Sequence, residues 1–137
     1  MTSRLNPYLS FKDNARQAME FYKSVFGGEL TVTTFGEGNM AQDPSETDKV
    51  MHAQLEAPNG FWLMGSDTPS RMEFKPGNTM TVSLSGDDED ALKGYWTKLS
   101  DGATITMPLN KAPWGDSFGM LTDKFGTPWM VNIAGQR

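Results

Sequence analysis

The order strand, helix, strand, strand, strand is written twice in this chain, and that repetition limits its possible folds more than any single motif does. The first pass opens with the extended run "LNPYLSF" (residues 5–11), where Pro7 suits an edge or a strand start, and breaks at "KDN". Ala15, Ala18, Met19, Tyr22, Val25 and Phe26 then recur at three- and four-residue spacing, which predicts a helix. Asn14 and Gln17 are spaced for a capping box, and Gly27 with Gly28 stops the helix. Three strand-like runs follow: "ELTVTTF", "KVMHAQLEA" and "GFWLMGSD". The polar stretch from Gly36 to Asp48 separates the first two, and the turn "PNG" the last two.

The second pass begins with "TMTVSLSG", then an acidic "DDED" that favours a helix start, then Ala91, Leu92, Tyr95, Trp96 and Leu99 on one helical face. Gly102 ends it, and "ATITMPL", "SFGMLTD" and "PWMVNIA" complete the unit. The helices superpose at an offset of 74 (Phe21 to Tyr95), which also sets Tyr22 over Trp96, Val25 over Leu99 and Gly28 over Gly102. Each unit, about 1–70 and about 77–137, is too small to close a core alone and is expected to pack on the other or across a dimer. The predicted class is therefore α+β: one domain, 1–137, of two βαβββ modules forming a cupped mixed sheet with a central cleft.

Composition removes several functions. A net charge of −5 with 12 scattered Lys and Arg disfavours a nucleic-acid partner. No run of about 18 apolar residues is present to span a membrane. The start "MTSRLNPYLSF" lacks the pattern of a secretory signal, so a cytoplasmic protein is expected. Without cysteine there is no disulfide, thiolate nucleophile or sulfur-ligated zinc. One histidine and no signature serine exclude a Ser-His-acid triad.

The segments "NPYLSF", "AMEFYKSVFGGE", "VMHAQL", "LMGSD" and above all "PLNKAPWGDSFGMLTDKFGTPWMVNI" resemble the PhnB-like branch of the vicinal oxygen chelate superfamily, the glyoxalase, bleomycin-resistance and dioxygenase proteins. The resemblance covers nearly the whole chain. Members of that branch often carry a demethylubiquinone methyltransferase label, yet no glycine-rich loop here follows a strand and opens a helix to hold a methyl donor. The resemblance implies one divalent metal held by the first and last strands of each unit. The matching positions are Asn6, Leu63 or Met64, Thr79 or Thr81, and Met130, none of them a good ligand for such a cation. It also implies a homodimer.

The candidate site residues follow from alternation along the strands. His52 shares a polar face with Gln54 and Glu56, and its readings are an ordinary strand residue or a proton-transferring group before a metal ligand. Tyr8 lies on the first strand's cleft-facing side with Asn6 and Ser10, and Met130 and Asn132 lie opposite Trp129, Val131 and Ile133. Trp114 follows a proline in a loop, where a large aromatic needs a partner. Asp67, Asp116 and Asp123 sit at strand or turn ends, with Asp123 assigned to a turn. The expected ligand-binding set is Tyr8, His52, Trp62, Met64, Trp114, Phe118 and Met130, holding a small, partly apolar molecule without metal or other cofactor. The alternative is an enzyme whose divalent metal uses Asn6, His52 and a carboxylate, Glu56 or Asp67, with His52 as the one catalytic candidate. The segment 36–48 is expected to be mobile, either a lid or an insertion.

Overall fold

A computed structural model of the chain describes residues 5–41, 43–69, 72–75, 77 and 79–135. It separates into two compact units, Met1–Pro76 and Gly77–Arg137. The first holds β1 (Tyr8–Phe11), α1 (Ala15–Phe26), β2 (Glu29–Thr34), β3 (Val50–Glu56) and β4 (Trp62–Asp67). The second holds β5 (Val82–Gly86), α2 (Glu89–Leu99), β6 (Thr104–Lys111), β7 (Ser117–Thr122) and β8 (Pro128–Ile133). Each unit is one four-stranded mixed sheet, ordered β1-β4-β3-β2 and β5-β8-β7-β6. The outer pairs β1–β4 and β5–β8 are parallel and the remainder antiparallel. The predicted α+β repeat of βαβββ is therefore the observed fold, strand for strand.

In the first unit, α1 packs across β2, β3 and β4 with Ala15, Ala18, Met19, Tyr22, Val25 and Phe26 buried, the six residues its periodicity singled out. They meet Phe11, Ala53, Leu55 and Leu63 from the strands. Each large side chain so buried contributes about 1.5–3 kcal/mol relative to exposure. The helix stops where predicted, and at its end Gly28 is required: its φ is 96°, and a Cβ there would run into the Glu56 carbonyl.

The helix start differs from expectation. The Asn14 side chain makes no capping hydrogen bond. Its place is taken from across the sheet by Asp67, 3% exposed, whose carboxylate accepts from the Ala15 N–H (2.9 Å) and the Val50 N–H (2.8 Å). One carboxylate thus joins the ends of β4, α1 and β3. Beside it the Lys49 ammonium bonds Asp13 at 2.8 Å. That bond, together with the nearby charges of Asp13, Glu46 and Asp67, raises the Lys49 pKa above its ordinary value.

The described residues of segment 36–48 form defined turns; Gln42 lies outside the described residues. Phe35 N–H donates to Lys49 C=O and Gly36 N–H to Thr47 C=O, which extends the β2–β3 hairpin. Thr34 N–H donates to the Glu37 carboxylate, and this bond first, with that of the Thr34 hydroxyl, lowers the Glu37 pKa. A turn of 3-10 helix, Pro44–Glu46, follows, capped by Asp43 and burying Glu46. The polar residues from which composition reads a mobile stretch are used here in local hydrogen bonds.

In the second unit Asp88 caps α2 by accepting from Ala91 N–H at 3.1 Å. Leu92 and Leu99 are buried under it with Leu84, Leu121, Trp129, Val131 and Ile133. Gly119 admits the helix: a Cβ there would lie 2.8 Å from the Trp96 ring and 2.9 Å from the Leu109 backbone. Asp123 closes the β7–β8 turn, accepting from Phe125 N–H (2.8 Å), Thr127 N–H (3.0 Å) and Trp129 Nε1–H (2.8 Å). Its assigned turn role is what the geometry shows. Among the described residues no helix is long and apolar enough to cross a membrane.

Removing the Asp67 carboxylate leaves two buried N–H groups without their acceptor. Asp67→Ala should cost about 2–4 kcal/mol in urea unfolding, with Asp67→Asn in between. A loss under about 0.5 kcal/mol would show that the three chain ends do not depend on it.

Candidate functional site

Period-two alternation gives each sheet one face covered by its helix and one left open. On the first sheet the open face is read from the register. Tyr8, Met64, Gln54 and Thr31 form one row across the strands, and Ser10 with Ser66, and His52 with Thr33, lie in the next. Trp62, half-buried, pairs with Glu56 at the far end. Tyr8 and His52 meet there: the Tyr8 hydroxyl is 3.4 Å from His52 Nδ1, and the rings are 5.9 Å apart between centroids. Tyr8, His52, Trp62 and Met64 thus share the open face of one unit.

The residues weighed for a metal do not converge. Asn6 turns its amide N–H to the Pro7 carbonyl, and Glu56, exposed, accepts from Gln54 Nε2 at 2.9 Å. Asp67 lies on the helix side with both oxygens committed, away from His52 and Glu56. No group of three His, Cys, Asp or Glu able to hold a metal occurs among the described residues. At the positions implied by the resemblance, Leu63 is buried under α1 and Met64 faces out, so the donors would be an amide, two thioethers (Met64, Met130) and a threonine hydroxyl. Such a set does not fit a hard or borderline divalent cation.

A phosphate-bearing cofactor also lacks a cradle at the strand-to-helix turns. Lys12, Asp13 and Asn14 join β1 to α1 without a glycine, and the Asp67 carboxylate already occupies the first N–H of α1. The first turn of α2 carries Glu89 and Asp90 behind the Asp88 cap, which opposes an anion.

The second unit carries a pocket of about 340 Å³, lined by Met107, Pro108, Asn110, Lys111, Ala112, Pro113, Trp114 and Phe118. Trp114 is 61% exposed and sets its ring edge to face with Phe118, centroids 5.9 Å apart. The loop that carries it is a closed turn: Ala112 N–H donates to Asp116 C=O at 2.6 Å and Gly115 N–H to Ala112 C=O at 3.0 Å. The β6–β7 register shifts on either side of Met107, which tips Met107 and Asn110 toward this side of the sheet with Phe118. Met130 is on the same open face, between Ser83 and Met120, and does not line the pocket.

The expected binding residues therefore fall into two groups, Tyr8, His52, Trp62 and Met64 on the first sheet, and Trp114, Phe118 and Met130 on the second. Sequence reasoning passed over Met107 and Asn110, because the bulge that aims them leaves no signal in the alternation. Asn132 was placed on the open face without a role, and the structure gives it one partner, Asp116, to which its Nδ2 donates at 3.0 Å.

The family described as 3-demethylubiquinone-9 3-methyltransferase matches residues 3–132. Protein YjdN of Escherichia coli is 31% identical over 97% of both chains. The crystal structure of PA1353 from Pseudomonas aeruginosa is similar at 34% identity and a TM-score of 0.85, covering 98% of this chain and all of that one. A PhnB protein from Bacillus cereus, described as a putative 3-demethylubiquinone-9 3-methyltransferase, matches at 27% identity and a TM-score of 0.77 over 96% of this chain and all of its own. The fold extends to a glyoxylase/bleomycin resistance protein/dioxygenase domain from Frankia, with a TM-score of 0.65 at 15% identity over 100% of this chain and 94% of that one.

The exposures of Trp114 and Trp129 predict opposite costs. Trp114→Ala should change unfolding free energy by no more than about 0.5 kcal/mol, and Trp129→Ala should lose about 3–5 kcal/mol. A large loss on changing Trp114 would make it a structural residue.

Proposed function

The chain belongs to the 3-demethylubiquinone-9 3-methyltransferase (PhnB-like) family, with the glyoxalase/bleomycin-resistance/dioxygenase fold, and we propose that it acts by binding a small, partly aromatic molecule without a metal. The observation that carries this reading is the exposed Trp114 fixed over Phe118 in an apolar pocket of about 340 Å³. A solvent-exposed indole held by a hydrogen-bonded turn costs free energy in water, and an aromatic ligand recovers it by stacking and by removing apolar area. A pre-formed wall also reduces the ordering cost of binding. Methionine at Met107 supplies a polarisable, adaptable side to the same pocket.

A metal-dependent enzyme is the second reading, and the Tyr8–His52 contact favours it, since a phenol and an imidazole side by side can hold and pass a proton. The donor set around them supports it less, because Asn6, Glu56 and Asp67 do not converge with His52. A homodimer belongs to either version: edge strands β1, β2, β5 and β6 leave backbone groups for a second copy to cover.

Two measurements separate the readings. Four tryptophans give four indole N–H resonances, and titration with 2-naphthol should move that of Trp114 most. Calorimetry should then show affinity falling about tenfold in Trp114→Ala, about 1.4 kcal/mol. A divalent metal bound stoichiometrically by the wild type and lost in His52→Ala would favour the enzyme instead.

A further inference from the structure

We propose that Asn132, which stands beside Phe118 just outside the lining of the Trp114–Phe118 pocket, sets the specificity for a ligand that extends from it over Phe118: Asp116 holds the amide with its oxygen outward, so the site takes aromatic molecules bearing a hydroxyl or N–H donor. The inference rests on the binding reading above and adds the chemical class of ligand. Asn132 is the cross-strand partner of Phe118, on the open face, with Ser85 on its other side. Directly opposed side chains in an antiparallel pair stand about 5 Å apart. A molecule lying on Phe118 and reaching toward β8 therefore meets Asn132 first.

The orientation of that amide is fixed by chemistry. Asp116 is 8% exposed, and its two oxygens are divided: Oδ1 accepts from Gly135 N–H at 2.9 Å and Oδ2 from Asn132 Nδ2 at 3.0 Å. An ionised carboxylate accepts only, so the nitrogen end of the Asn132 amide must face it. The oxygen end is then turned away, and among the described residues nothing donates to it. Ser85 and Asn110, the other polar groups of this row, are exposed and have rotors or amides that no partner among the described residues fixes, so each adapts to donor or acceptor alike. Asn132 is the member of the row that discriminates.

The test compares 2-naphthol with 2-methoxynaphthalene, which keeps the ring system and loses the donor. Calorimetry should give about fivefold tighter binding of 2-naphthol by the wild type, the value of one net hydrogen bond. Asn132→Leu should abolish the preference, the ratio of the two affinities falling to about one. Asp116→Asn, which can accept or donate and so releases the amide, should also bring the two affinities together, and it serves if the leucine variant does not fold. Equal binding of both probes by the wild type, or a preference that survives in Asn132→Leu, overturns the assignment while the pocket reading stands. Failure of both probes to move the Trp114 indole resonance removes the pocket reading and this inference with it.

Discussion

One helix can cover only one face of a four-stranded sheet. Each unit of this chain has one helix, so the period of two in its strands divides every strand into a structural half and a free half. Phe11, Ala53, Leu55 and Leu63 answer to α1, and Leu84, Leu121, Trp129, Val131 and Ile133 to α2. Tyr8, His52 and Met64 in one unit, and Phe118, Met120, Met130 and Asn132 in the other, answer to no helix and are available for other work.

Because that division is periodic, much of it was legible in the sequence. All eight strands, both helices, the six buried residues of α1 and the opposition of Met130 and Asn132 to Trp129 came from spacing alone. What spacing could not carry were contacts made across the fold. The Asn14 and Gln17 pattern suggested a local cap, but Asp67, 52 residues away from Ala15, occupies the position. Likewise the bulged β6–β7 ladder decides which way Met107 and Asn110 point, and a bulge is invisible to a two-residue period. The hydrogen bonds within loop 36–48 were equally out of reach, because a polar composition does not say which of its groups pair with one another.

The aspartates show how the same residue type serves different ends. Asp67 and Asp123 each satisfy backbone N–H groups at the ends of strands, and Asp123 also takes the indole N–H of the buried Trp129. Asp116 does similar work for Gly135 but spends its second oxygen on Asn132, so its effect passes outward to the open face. None of the three is placed as an acid or base. The family label speaks of methyl transfer, whereas the helix starts are closed by carboxylates and the open faces carry the aromatic rings of Tyr8, His52 and Trp62 in one unit and Phe118 in the other. Family membership and fold do not by themselves assign a reaction.

A metal-free binder of a small molecule and a metal-dependent enzyme differ in what stays bound to the purified chain. Native mass spectrometry of protein purified without chelator, before and after equilibration with manganese, nickel and zinc ions, separates the two. A metal-free binder shows a bare mass or a mass with an organic adduct, and no ion retained at one per chain after buffer exchange. A divalent ion held stoichiometrically through that exchange would overturn the metal-free reading.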